Sequence, residues 1–453
     1  MSTQGNFKRN TSRVSRRSFL RMAGITAAGA ALQACGAIGV RATPTPVQAA
    51  QLVYQDWRTE WFPPMAQEML GKFHQLYPNI RVFYVPDPTD VEESLLVDMK
   101  AGTAPDVFSA CCSFYPILAQ ESLTLDLRPY VSRDLDSATI EDWDPAQYNS
   151  FFTLDGRQYG LPKYHGALAL YYNKDLFDQY GVDYPDDNWT YQDYQEAMQR
   201  LTQDRDGDGE TDLWGSMLDI SWERIQVHVN GWGGHFIDLD NPALSKMGEP
   251  EALAAMEWIR ARMWDDRSMA SFLDVNNLST SQAFIAERVA MVEDGSWALK
   301  DILSGAKFRI GVAPFPVAPV KRVTLATTDG YGIYIGTKHP DEAWELLKYL
   351  ISKDYGLAMA RANFLQPARA SLVEDWVGFI RAEYPDQTKE MDIAAFADGH
   401  LKGYSVTAEI FPNMAEAKRL AYDAWDKIFT LGQAPVDIMK DVSDQIQNAQ
   451  KEA

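Results

Sequence analysis

The stretch GLPKYHGALALYYNKDLFDQYGV, residues 160–182, decides the fold. Its centre, Ala167–Tyr172, is a short apolar run and reads as a strand. Lys174–Tyr180 then reads as a short helix. Upstream, Leu52–Gln55 is a candidate strand, and Met65, Met69, Phe73 and Leu76 fall at helical spacing. Pro78 stops that helix, and Ile80–Val85 reads as a strand. Glu92–Ala101 is helical, and Asp106–Ala110 is a short strand. Strand and helix therefore alternate as β-α-β-α-β, the order of an α/β sheet with helices on its faces. Downstream, Thr190 is placed to cap a helix over 191–202. Glu251–Trp264 and Asp341–Leu350 are further amphipathic helices. GVAPFPVAP, residues 311–319, holds three prolines and excludes helix. It suits an extended crossing between lobes.

The chain has 453 residues, too many for one ordinary core and suited to two lobes. Its hydrophobic fraction of 46% and charged fraction of 23% are those of a globular protein. No period of 20–50 residues repeats, which argues against a solenoid. The formal net charge is −21. Residues 1–34 hold six of the 42 basic residues and no acid, so without them 36 basic residues face 63 acidic ones, a charge of −27. Such a surface disfavours nucleic acid, which demands phosphate-neutralising cations.

The N-terminus, RVSRRSFLRMAGITAAGAALQACG, has a basic region and then a mild Ala/Gly-rich stretch. It is a signal peptide, too short and too mild for a spanning helix. Ser15–Arg21 resembles a twin-arginine export motif. Leu32-Gln33-Ala34-Cys35 resembles a bacterial lipobox, which implies that Cys35 carries lipid and opens the mature chain. Residues 35–50, with Thr43-Pro44-Thr45-Pro46, then form a tether. The expected location is the outer face of the cell membrane, held by lipid alone. Cys111 and Cys112 are adjacent, and a pair of buried free thiols is expected there.

Six elements, in order, resemble the extracellular solute-binding proteins of bacterial ABC importers, in the sugar-binding, maltose-binding-protein-like group. They are KFHQLYPNIRVFYV (72–85), LLVDMKAGTAPDVFSA (95–110), the stretch at 160–182, NWTYQDYQEAMQRLTQ (188–203), MVEDGSWAL (291–299) and Lys338–Trp344. The resemblance implies an α/β, two-lobed periplasmic-binding-protein fold (Venus-flytrap, class II) with interlobe hinge strands. Lobe 1 is expected at 51–162 and 328–365, lobe 2 at 163–327 and 366–453. A monomer is expected, closing its hinge on a mono- or oligosaccharide and passing it to membrane permease subunits. A polyol or glycerol-phosphate-type solute is the alternative, and a cell-surface sensor or a secreted carbohydrate-active enzyme a more distant one. No His-Glu-x-x-His, Gly-x-Ser-x-Gly or phosphate loop supports an enzyme.

A sugar presents an apolar ring face and a rim of hydroxyls, met by aromatic rings and planar polar groups. Candidates are Trp57, with Arg58 and Glu60 beside it, Ser109, Tyr164, His165, Trp232, Trp297, Asp329, Tyr331 and Arg369. Asp204-Arg205-Asp206-Gly207-Asp208-Gly209-Glu210-Thr211-Asp212 matches the first part of an EF-hand loop, but position 12 is Gly215. Two readings stay open there: a solvated acidic turn, or structural calcium on Asp204, Asp206, Asp208, the Glu210 carbonyl and Asp212.

Overall fold

In β1 (Ala50–Asp56) exposure alternates, so Leu52 and Tyr54 point inward while Gln51 and Val53 face out. The computed structural model describes residues 49–451, so the export motifs, Cys35 and nearly all of the tether lie outside the described residues. β1 pairs in parallel with β2 (Ile80–Pro86) and with β3 (Val107–Ala110). The connecting helices are Phe62–Leu76 and Val91–Ala101. On the first of these Met69 and Phe73 are buried as their spacing predicts, but Leu76, its last residue, is 66% exposed.

The chain then leaves this first lobe through β4 (Leu161–Pro162) and enters the second through β5 (Leu168–Asn173). Every residue of β5 is buried, which explains why all but its last, Asn173, are apolar or aromatic. It is the middle strand of a sheet with β6 (Met291–Gly295) and β7 (Ile310–Ala313), both antiparallel to it. β8 (Gly330–Ile333) returns to lobe 1 and inserts antiparallel between β3 and β4. The two sheets thus have the orders β2-β1-β3-β8-β4 and β6-β5-β7.

Among the described residues three segments cross between lobes side by side. Thr327 N donates to Gly166 O at 2.8 Å, Lys163 N to Asp329 O at 3.0 Å, and His165 N to Gln366 O at 3.0 Å. Gln147, fully buried, donates to the carbonyls of both Tyr164 and Thr327. Gly166 is required here, because a Cβ would strike the Thr327 side chain in the next crossing. The proline-rich stretch 311–319 is not a crossing. Its start is β7, and Val317 then hydrogen-bonds to Trp189 and Tyr191, so it stays in lobe 2. The crossing is the segment that follows it, 326–329.

Separate cores fill the lobes. In lobe 1, Leu52, Phe62, Phe73 and Trp344 pack together. In lobe 2, Trp222 meets Phe236, Phe411 and Trp425. The helix Lys353–Asn363 belongs to both lobes. Its Tyr355 and Met359 enter the lobe 1 core and its Ala360 the lobe 2 core. Thr190 caps Tyr191–Leu201 as its position predicts, in a reciprocal box with Asp193.

Candidate ligand site between the lobes

The ends of β1 and β3 meet the first crossing at Lys163, a side chain no sequence signal had singled out. Lys163 is fully buried. Its ammonium pairs with Asp56 at the end of β1 and donates to Ser109 Oγ on β3 at 3.0 Å. It also lies 3.1 Å from the centroid of the Trp57 ring, a cation–π contact. Burial pushes the Lys163 ammonium down and the Asp56 charge opposes it. Burial also raises Asp329 to about 6, although Lys163 and hydrogen bonds from Thr327 and Tyr164 pull the other way.

That shift has a sign that can be tested. The ordinary value is 3.8, so between about pH 4 and pH 6 folded Asp329 holds a proton that the unfolded chain has lost. Its contribution to stability therefore falls as pH rises through this window. Asp329→Asn is neutral at all pH and is expected to flatten the slope. Urea midpoints at about pH 4 and about pH 7 check this, and an unchanged slope would contradict it.

The candidate residues divide. Trp57, Ser109, Tyr164, Asp329 and Tyr331 gather around Lys163, with the Trp57 and Tyr164 rings edge to face at 5.4 Å. Trp57 is half-buried, and so is Trp297, which packs against core residues of both lobes. Tyr331 requires correction: it lies on the strand between β3 and β4 and is 0% exposed, with its ring near Tyr54 and Tyr355. A central strand covered on both faces offers no side chain to a cleft. Ser109 is likewise buried, with Lys163 on its hydroxyl. Arg369 is a clamp rather than a ligand group. It donates to the Thr139 and Ile351 carbonyls and lies over Trp143. Glu60 is exposed, in the turn ahead of the helix Phe62–Leu76. Trp232 stands edge-on to Tyr191 at 4.7 Å in lobe 2. His165 is sealed in the hinge, 2.9 Å from Asp144.

The lobe 2 wall is held by a buried polar network. Arg224 donates to the Glu293 carbonyl and to Asp294. His228 meets Glu293 at 2.9 Å and the Tyr191 hydroxyl at 2.9 Å. The same helix, Trp222–Gly231, presents Glu223, whose carboxylate accepts from Ser113 N of lobe 1 at 3.0 Å. Gln120 of lobe 1 donates to the Phe411 carbonyl of lobe 2 at 2.9 Å. Beside these contacts lies a cavity of about 690 Å³, lined from lobe 1 by Gln120, Phe152, Arg157 and Tyr159 and from lobe 2 by Ile410 and Asn413. None of the ten candidates lines it. Its residues stand on surface loops and short helices with no periodic or motif signal, so only the folded chain brings them together.

Cys111 and Cys112 are free thiols, and ligating atoms of both lie within 4.8 Å of Asp329. In the acidic loop, Asp204, Asp206 and Asp208 each bring an oxygen within the same 4.8 Å, and all are exposed. Asp204 accepts from the amides of Gly207 and Gly209, both at positive φ, and Asp212 from that of Arg205. Glu210 donates its amide to Asp208.

Two α/β lobes, three crossings and a cavity between the lobes define a class II periplasmic-binding-protein fold. The chain belongs to the bacterial extracellular solute-binding protein family, whose model matches residues 56–356. The maltodextrin-binding protein MdxE of Bacillus subtilis is 24% identical over 353 residues, 74% of this chain and 75% of that protein. Among solved structures, the ABC substrate-binding protein Lmo0181 from Listeria monocytogenes, in complex with cycloalternan, has a TM-score of 0.76. It is 20% identical and covers 89% of this chain and 99% of its own. UgpB from Mycobacterium tuberculosis, in complex with glycerophosphocholine, has a TM-score of 0.71 at 17% identity and covers 89% of this chain and 99% of its own. The family consists of binding proteins and is extracellular, so the chain is exported. Among the described residues no helix is long and apolar enough to cross a membrane.

Proposed function

We propose that this protein is the substrate-binding subunit of an ABC importer for a carbohydrate. In this reading it holds a mono- or oligosaccharide between its lobes and delivers it to permease subunits as a lipid-anchored monomer. The observation that carries the reading is the interlobe cavity, which brings Phe152 and Tyr159 together with the planar polar groups of Gln120, Arg157 and Asn413. Rings cover the apolar face of a sugar, and amide and guanidinium groups bond its hydroxyls. The maltodextrin-, maltotriose- and arabinooligosaccharide-binding names of its relatives support the same class. A glycerol-phosphate-type solute has one neighbour in its favour. The acidic surface and the engagement of Lys163 by Asp56 weigh against an anion. In this reading a solute touching both walls stabilises the form in which Glu223 reaches Ser113, and so favours closure.

A thermal melt over mono- and oligosaccharides tests the proposal. A true ligand at about a hundredfold its Kd should add about 2.7 kcal/mol of stability. Arg157→Ala, which removes a guanidinium from the cavity lining, is expected to weaken that ligand tenfold or more. A shift with glycerophosphodiesters and none with sugars would reject the carbohydrate reading. The same melt with and without calcium chloride separates the two readings of the 204–212 loop. Calcium-dependent stabilisation that disappears in Asp206→Asn would establish the ion there.

A further inference from the structure

A second polar cluster sits on the hinge, apart from the cavity. His165 lies in the first crossing. Asp144 caps the helix Pro145–Ser150 of lobe 1, and His400 belongs to the helix Asp398–Lys402, next to lobe 2 core residues. One ligating atom from each lies within 4.8 Å of the other two. His165 Nε2 is 2.9 Å from Asp144 Oδ2, and the two imidazoles stack with centroids 5.3 Å apart.

A hydrogen bond from His165 to Asp144 does not account for the whole arrangement. The Gln366 side chain is fully buried, and its Oε1 has no partner while its Nε2 stands 3.3 Å from His165 Nδ1. Amide nitrogen and oxygen have the same shape, so their assignment follows the hydrogen bonds. Turning the Gln366 amide over brings Oε1 to Nδ1, which then carries the imidazole proton. His165 Nε2 is left with a bare lone pair, facing a carboxylate oxygen. Two acceptors at that separation repel unless a proton or a metal cation stands between them, and a metal cation takes up the lone pair and the carboxylate charge together. His400 supplies a third ligand atom, and its ring N–H donates to the Trp143 backbone carbonyl. Bonds of that kind orient metal-bound imidazoles.

We propose that Asp144, His165 and His400 form a divalent transition-metal site of the zinc type that ties the hinge crossing to both lobes. Two imidazoles and one carboxylate select a borderline cation over calcium or magnesium, which take oxygen ligands. Bonds of about 2.0–2.2 Å require the His165–Asp144 pair to open by a few tenths of an ångström and His400 to draw in from the 4.8 Å limit of the cluster. His400 is partly exposed and gives the ion a way in, with a fourth position left for water. A metal held by all three segments favours the lobe arrangement that keeps them at bonding distance. It therefore couples metal to closure.

The test uses the tag-free exported chain, stripped with chelator, titrated with zinc chloride by calorimetry and with cobalt(II) by visible absorption. One zinc equivalent per chain and cobalt bands of a low-symmetry nitrogen- and oxygen-ligated site are expected. His400→Gln should weaken zinc at least tenfold while melting like the unaltered protein in chelator. His400→Cys keeps a ligand and should add a thiolate-to-cobalt charge-transfer band, so a folded variant with an unchanged spectrum would remove His400 from the site. No zinc binding by the unaltered protein, or an equivalent retained in His400→Gln, overturns the proposal. None of these readouts depends on which solute the cleft holds.

Discussion

Lys163→Met should lower the unfolding free energy by about 3–5 kcal/mol, the cost of leaving one partner of a buried pair uncompensated. Asp56 would keep the hydrogen bonds from Tyr54 and from its neighbouring amide at Trp57, but not the cation. Asp87 and Asp329, each raised to about 6 by burial, also feel that cation and would rise further. Urea denaturation at neutral pH reads the loss as a lower midpoint with an unchanged slope. The double variant Asp56→Leu with Lys163→Met should recover much of it, because an apolar pair of similar volume replaces two desolvated charges. A cost below about 1 kcal/mol for the single variant would mean that water reaches Asp56 and that the pair is not dry.

Trp222→Ala should cost about 3–5 kcal/mol, the range for a large aromatic removed from a packed core. The ring is fully buried against Phe236, Phe411 and Trp425, and its indole nitrogen donates to the Glu409 carbonyl at 3.0 Å. The loss therefore combines a cavity with an unpaired carbonyl. Trp222 also opens the helix that carries Glu223 and Arg224, so solute affinity should fall along with the melting temperature. Trp222→Phe keeps most of the volume and should cost clearly less. Equal losses for the two variants would place the effect in the hydrogen bond and not in the packing.

The elements of the fold were legible because each has a local cause. Apolar runs marked β1, β2, β3 and β5, Thr190 marked a cap, and prolines marked breaks. The error at 311–319 has the same root: proline excludes helix but does not say which lobe an extended segment joins. The site was far less legible. Trp57 and Asp329 both reach Lys163 because one follows the end of β1 and the other precedes the start of the antiparallel β8, and a sequence pattern locates strand ends. Lys163 hides between Pro162 and Tyr164, where nothing local distinguishes a buried lysine from a solvated one. The sequence places Tyr331 at the cleft because the segment it sits in crosses between lobes. Its insertion between β3 and β4 is a long-range pairing that no local pattern encodes. Arg157 and Asn413 meet across a cavity only after some 250 residues of chain have folded.

The place of β8 also bears on how this protein is made. The edge of β3 at Ala110 is completed by Gly330, so about 220 residues must be synthesised in between. At ribosomal speed that takes roughly 10–45 s. Throughout that time the N-terminal half presents a bare strand edge, the kind of surface that recruits a neighbouring chain. Lobe 1, although it comes first in the chain, can only be finished late. Nascent chains of this protein should therefore need a holding chaperone before export, and a fragment ending before residue 330 should aggregate rather than fold.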